Sequence, residues 1–378
     1  MISSVSLIGG TVLTSHGALE AADVHIADGM IVEAPSPSAT AIDCRSFCVL
    51  PGIVDVHGDA FEVALHPRPG VNIAFPIAMR WVDRQLLANG ITTVFHGLTL
   101  SWEPGARSLP AGRDFMDGLE GLRPQFLADH RVQLRWETFA HDAIDDIDHW
   151  LARHPKPALA FNDHTTLTLE AARSGNTKKL EVWAHRAGLT LKEYLAMAEE
   201  IGRRAPDVAD KVRDVAERAS RRGAIMLSHD EKTRGEREQF RNLGAKVCEF
   251  PLARKVAEDA VSNGEYVIMG APNVIRGGSH TGAMSAEDAI GNGLCDVLAS
   301  DYYYPSLLHA AEHLVARGVC SFGEAWNLVS RNPAASMGLQ DRGAIETGRR
   351  ADLAVLDCTG PWRLVHLVVG GVVTTFGS

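Results

Sequence analysis

Eight short apolar runs, each ending in polar or chargeable residues, constrain this chain more than any other feature. Val49 to Val56 ends at His57-Gly58-Asp59, and Ile91 to Phe95 ends at His96. Val132 to Trp136 ends at Glu137, and Ala158 to Phe161 at Asn162-Asp163-His164. Ala224 to Ser228 ends at His229-Asp230, and Lys246 to Cys248 at Glu249. Tyr266 to Gly270 ends at Ala271-Pro272-Asn273, and Asp296 to Ser300 at Asp301. Stretches with helical character, such as Ala209 to Arg222 and Ala253 to Asn263, lie between them. Strands that alternate with helices pair in parallel, because a parallel neighbour needs a long crossover. Eight such units predict an α/β fold, a (β/α)8 TIM barrel with its chemistry at the C-terminal strand ends. An open doubly wound sheet would gather its polar residues at one switch point instead.

The two ends of the chain read differently. Val5 to Leu7, Thr11 to Thr14, Val24 to Ala27 and Met30 to Glu33 are β-prone pieces broken by Gly9-Gly10, Gly17 and Asp28-Gly29. An Asp-Gly pair between such pieces favours a tight hairpin turn. Leu353 to Asp357, Leu364 to Val369 and Val372 to Phe376 repeat the pattern around Gly370-Gly371. These segments predict a small β-sandwich built from residues 1–50 and 341–378, entered through Arg342 to Gly348. The barrel is then expected over 51–340.

The composition is that of an ordinary globular protein: 378 residues, 46% hydrophobic and 22% charged. A formal net charge of -10 argues against a nucleic-acid or acidic-membrane partner, although a local basic pocket can still hold a small anion. No apolar stretch is long enough for a membrane span. No basic segment followed by an apolar run opens the sequence. The six cysteines are scattered, with Cys44 and Cys48 the only close pair, as expected of reduced thiols. These readings predict a cytoplasmic protein with a small-molecule substrate; a homo-oligomer, commonly a dimer, is the general expectation for such barrels, and the sequence leaves that state open.

The strand ends carry the chemistry. His57 and Asp59 stand two apart, so an extended chain points both to one side. An imidazole and a carboxylate there can share a divalent ion. Closure of a barrel would bring them to Glu137, His164, His229 and Asp301, with Glu137 a candidate bridging carboxylate. Each of these residues, taken singly, could cap a helix or pair within a loop. Together they occupy equivalent positions. They predict one or two divalent ions, zinc first and manganese or iron next. Asp301 and His229 are the expected catalytic groups, with Asp301 taking a proton from an activated water.

The second signal is Ala271 to Gly282, which contains Arg276-Gly277-Gly278-Ser279-His280-Thr281-Gly282. Glycines let a backbone approach a ligand and expose its N–H groups, and the polar side chains add donors suited to phosphate oxygens. Asn273, Arg276, Gly277, Gly278, Ser279 and His280 are the candidate substrate contacts. Arg68, in His66-Pro67-Arg68-Pro69, joins them.

The opening Leu50-Pro51-Gly52-Ile53-Val54-Asp55-Val56-His57 resembles the amidohydrolase superfamily. Together with His66 to Pro69, Gly90 to Val94, Ser228 to Asp230, Gly270 to Gly282 and Ser300 to Tyr303, it resembles the PhnM family of the bacterial phosphonate pathway. That resemblance implies hydrolysis of α-D-ribose 1-methylphosphonate 5-triphosphate to pyrophosphate and the 5-phosphate. It also implies that His57, Asp59, Glu137, His164, His229 and Asp301 form the metal site, and that the Gly277-Gly278 loop holds part of the triphosphate. One stretch departs from the family. A Met-Asp-His followed by a Pro-Gly-Gln-Arg-Gln-like segment is replaced by Asn162-Asp163-His164 and then Thr165 to Leu169. The alternative is hydrolysis of a C–N bond, as in a deaminase or cyclic amidase.

Overall fold

The computed structural model describes residues 4–68, 70–278 and 284–377. Eight parallel strands form the centre. They are β6 (Ile53–Gly58), β7 (Ile91–Leu100), β8 (Asp129–Glu137), β9 (Ala158–Asn162), β10 (Met226–His229), β11 (Val247–Glu249), β12 (Tyr266–Gly270) and β13 (Val297–Ala299). They pair in chain order from β6 to β13. A parallel bridge between Gly58 and Asp301 joins the last strand end to the first and closes the ring. β6 and β7 are buried along their whole length, which explains their near-continuous apolar sequence.

Two apolar layers hold the barrel. Inside, Val54, Val56, Ala158, Ala160, Leu227, Val247, Ile268, Val297 and Ala299 fill the axis, and Ala334, Met337 and Leu339 pack against them. Outside, alternate residues such as Leu134, Trp136 and Phe161 meet the surrounding helices. Each Leu or Ile so buried contributes roughly 1.5–3 kcal/mol. The helix Ala205–Arg221 buries Val212, Val215, Ala216 and Ala219 at helical spacing and turns its charges outward. The inner residues of β8 break the apolar rule. Gln133, Arg135 and Glu137 lie two apart and are all buried.

The terminal strands form a separate mixed sheet: β1 (Val5–Leu13), β2 (Leu19–Ala27), β3 (Met30–Val32), β4 (Thr40–Asp43), β5 (Cys48–Pro51), β14 (Leu353–Asp357), β15 (Arg363–Val369) and β16 (Val372–Thr375). β14 pairs antiparallel with β5, so the two ends of the chain meet in the middle of this sheet. Val5, Leu7, Val24, Ile26, Val49, Leu353 and Val355 form its own core, while Leu50, Leu356 and Leu367 face the barrel core. The architecture is a (β/α)8 barrel with a small β unit made from both termini. Among the described residues, no helix is long and apolar enough to cross a membrane.

The structure corrects two details of the sequence reading. β1 does not break at Gly9-Gly10; it runs through them on a bulge between Leu7 and Gly10. A glycine is needed there because Gly9 has φ +70° and a Cβ on Gly10 would press on the Val49 side chain. β7 does not end at His96 but continues to Leu100, placing His96 mid-strand. His96 faces outward, against Phe61, Phe115 and His130.

Candidate metal centre

His57 and Asp59 stand at the end of the first barrel strand, and backbone bonds tie them to the last. Asp59 N donates to Asp301 O at 2.7 Å, and Asp301 N donates to His57 O at 2.9 Å. Asp55, fully buried two residues before His57, clamps the same seam. It accepts from Ser300 N at 3.0 Å and Ser300 Oγ at 2.5 Å. The ends of β10, β11 and β13 turn through left-handed residues: Asp230 at φ 60°, Phe250 at φ 53° and Asp301 at φ 54°. A bulky residue such as Phe rarely adopts this region, and such strain gathers at functional sites. The Phe250 ring lies against His57 and His229, with centroids 5.1 and 5.3 Å away.

Two donor groups converge at the mouth and share His57. One is His57, Asp59 and Asp301; the other is His57, His229 and Glu249; within each, the ligand atoms lie within 4.8 Å of one another. His57 Nδ1 sits 2.9 Å from Glu249 Oε1, and its Nε2 lies 3.4 Å from Asp59 Oδ1. His229 Nε2 is 3.9 Å from Glu249 Oε2. The Asp230 carboxylate lies 3.0 Å from His229 Nδ1, and Nε2 faces Arg135.

These residues fit a divalent cation. Asp59 Oδ1 and Glu249 Oε2 are buried and have no hydrogen-bond partner. A buried carboxylate oxygen without a partner is costly unless a cation meets it. The field in the site points the same way. Burial disfavours a charge on His57, yet the Glu249 and Asp59 carboxylates outweigh it and push the imidazole up to about 10. Burial, followed by the Arg135 and His229 charges, drives His164 down to about 3, so its ring is neutral at ordinary pH. Asp301 is raised above the usual carboxylate range, chiefly by burial, with the Asp59 charge adding to it.

The candidates named from sequence fall into distinct places. His57, Asp59, His229 and Asp301 come together. Glu137 and His164 lie outside both donor groups and contact each other, with His164 Nδ1 3.6 Å from Glu137 Oε2. Glu137 accepts from His164 N, Thr165 N and Thr165 Oγ1, at 2.8, 3.2 and 2.7 Å. It thereby caps the helix His164–Arg173. Asn273 lies in the short helix Ala271–Ile275, and both ends of its amide bond the backbone at Met284 and Ala286. Arg276 is exposed and donates to Tyr302 Oη at 3.3 Å, beside Asp301. Gly277 and Gly278 take φ 73° and 144°. Ser279, His280, Thr281 and Gly282 lie outside the described residues. Arg68 is exposed on the turn after the first helix and has no polar side-chain contact among the described residues.

Sequence reasoning passed over Asp55, Gln133, Arg135 and Glu249. Glu249 ends its strand as His229 does, and that position was the available signal. Gln133, Arg135 and Glu137 alternate on β8 with apolar residues, a period of two that marks one face of a strand. Gln133 Nε2 donates to Glu249 Oε1 at 2.8 Å. Arg135 Nη1 donates to Asp59 Oδ2 at 2.9 Å.

Comparison with known proteins gives the family and the fold. The amidohydrolase family model matches residues 204–374. The chain is 31% identical over 335 residues to the alpha-D-ribose 1-methylphosphonate 5-triphosphate diphosphatase of Escherichia coli (strain K12), covering 85% of this chain and 86% of that one. In fold it resembles a dihydropyrimidinase from Brevibacillus agri NCHU1002, with TM-score 0.60, 13% identity, and 98% and 95% of the two chains covered. A D-hydantoinase gives TM-score 0.62 at 13% identity, covering 98% of this chain and 95% of that one. By its sequence likeness and its barrel, the chain belongs to the amidohydrolase family, on the PhnM-like branch.

Proposed function

We propose that this chain is a divalent-metal hydrolase that releases pyrophosphate from α-D-ribose 1-methylphosphonate 5-triphosphate or a closely related phosphorylated sugar. The observation that carries this reading is the pair of donor groups meeting at His57 beside Asp301. A divalent ion bound there would lower the pKa of a water toward neutrality. Mixed nitrogen and oxygen donors suit zinc first, with manganese or iron next. Asp301, at the seam of the barrel, takes the proton of the attacking water. His229, with the Asp230 carboxylate 3.0 Å from its Nδ1, shares the second donor group with His57. Arg276 and the glycines after it stand on the Asp301 side, where they can hold the departing phosphates. The likeness to the Escherichia coli diphosphatase supports the substrate class.

One observation favours a second reading, C–N hydrolysis. A cavity of about 790 Å³ adjoins His164 and His229, with Phe139, Phe161, Leu167 and Phe240 in its wall. Asn162 also lines it, and both polar atoms of that buried side chain lack a partner. A free amide beside an apolar wall can read an amide substrate.

The test is metal analysis of the purified enzyme, followed by assay against ribose triphosphates and a panel of cyclic amides. The first reading expects pyrophosphate from the triphosphates and a fall of roughly 10²–10⁴ on Asp301→Asn. Ring-opened product or ammonia, without pyrophosphate, would replace it with the second.

A further inference from the structure

Arg135 is the buried cation closest to the donor groups. It projects from the inner face of β8, and its side chain is 7% exposed. Nη1 donates to Asp59 Oδ2 at 2.9 Å, and Nη2 donates to His229 Nε2 at 3.4 Å. Nε is buried and has no partner. A guanidinium carries five N–H groups, so most of this one is uncommitted. Another buried arginine of this fold shows the contrast. Arg237 directs Nη1 to Ser228 and Glu231 and Nη2 to Ala245 O; its Nε makes no hydrogen bond but lies 3.0 Å from a Glu265 carboxylate oxygen, within ion-pair distance. Arg237 is a structural ion pair; Arg135 is half-used and faces the barrel mouth. Gly97 on the neighbouring strand makes the room for it. A Cβ there would meet Asp59 Oδ1 and come within 3.2 Å of both Arg135 Cδ and His57 Nε2.

Asp59 offsets the charge of Arg135 through Nη1, but the buried Nε and the remaining N–H groups still lack acceptors. A phosphoryl group offers them several anionic oxygens, whereas a neutral amide offers one carbonyl. The planar guanidinium also matches a phosphoryl group's paired oxygens, and its attraction is stronger away from water than at the exposed Arg68 or Arg276. We propose that Arg135 grips a non-bridging oxygen of the phosphoryl group under attack and sets the preference of the site for anionic phosphoanhydrides over neutral amides. The inference rests on the phosphoanhydride reading above.

Inorganic tripolyphosphate, titrated calorimetrically into enzyme saturated with its divalent metal, is the probe. Wild type should bind it, and Arg135→Gln should weaken binding by about tenfold to a hundredfold, the range of a charge-assisted hydrogen bond. Metal content should stay unchanged, and added guanidinium ion should restore part of the affinity. Arg135→Lys, which keeps the charge and loses the fork, should fall between the two and serves if the Gln variant does not fold. Unchanged tripolyphosphate affinity in either variant overturns the inference. So does affinity lost together with the metal in both variants, because Arg135 would then only position Asp59. If wild type neither binds tripolyphosphate nor releases pyrophosphate from ribose triphosphates, the parent reading fails. If wild type does both and Arg135→Gln does them equally well, only the inference fails.

Discussion

At the scale of single residues, the candidate metal centre is a contest for His57. Its ring is fully buried, which disfavours charge, yet two carboxylates hold it protonated up to about 10. A metal needs the neutral ring, so at any lower pH binding must expel the proton. Metal affinity should therefore fall as pH falls, by up to about tenfold per unit, a factor that corresponds to one proton exchanged. Calorimetric titration of metal at pH 8 in buffers of different ionisation heat should show close to one proton released from this site. Release of none would remove His57 from the ligand set. The same residue-scale logic explains Gly97, whose missing side chain leaves space for three charged groups.

At the scale of elements, the start of the helix His164–Arg173 depends on a carboxylate from β8, the strand paired with the one that leads into the helix. Glu137 accepts two backbone N–H groups and a hydroxyl there. These bonds favour the ionised form, but burial outweighs them and raises Glu137 to about 8. Between the ordinary Glu pKa near ~4.3 and that value, the folded chain holds a proton that the unfolded chain has released. Stability contributed by this group is thus full at the acid end of the window and is lost as pH rises through 8. The slope approaches ~1.4 kcal/mol per pH unit. Glu137→Gln keeps an acceptor and removes the titration. Urea unfolding from pH 5 to 9 should show wild type losing stability relative to this variant as pH rises. Parallel curves would mean that the carboxyl titrates normally.

At the scale of the whole molecule, the barrel and the terminal sheet are joined by specific polar contacts as well as by apolar packing. Arg342 is 4% exposed and donates through Nη1 to Thr93 Oγ1 at 2.7 Å and to Asp129 Oδ2 at 2.8 Å. It reaches from the segment before β14 to barrel strands β7 and β8. Trp326 Nε1 donates to Pro51 O at 2.9 Å, at the junction between β5 and β6. Arg342→Ala would leave Asp129 partly buried without this partner, and breaking such a pair costs about 3–5 kcal/mol. Denaturant unfolding should show that loss in a single transition. A cost below about 1 kcal/mol would mean that Arg131, which also pairs with Asp129 at 2.9 Å, carries the contact alone.

The sequence by itself determined the repeated strand-helix order, the β-rich ends and four residues at the mouth: His57, Asp59, His229 and Asp301. These follow from local signals, namely apolar runs, glycine turns and polar residues at run ends. Periodicity reports which residues share a face, because it is written into neighbouring positions. Only the tertiary structure decided that Arg135 and Glu249 stand among these four, while Glu137 turns aside to cap a helix. Glu137 and Glu249 look alike in sequence, since each is a carboxylate that ends an apolar strand. They differ because Glu137 finds the N–H groups of His164 and Thr165, whereas Glu249 finds the imidazole of His57, 192 positions away along the chain. The partner of a buried charge is set by the closing of the barrel, and no local pattern encodes that closure.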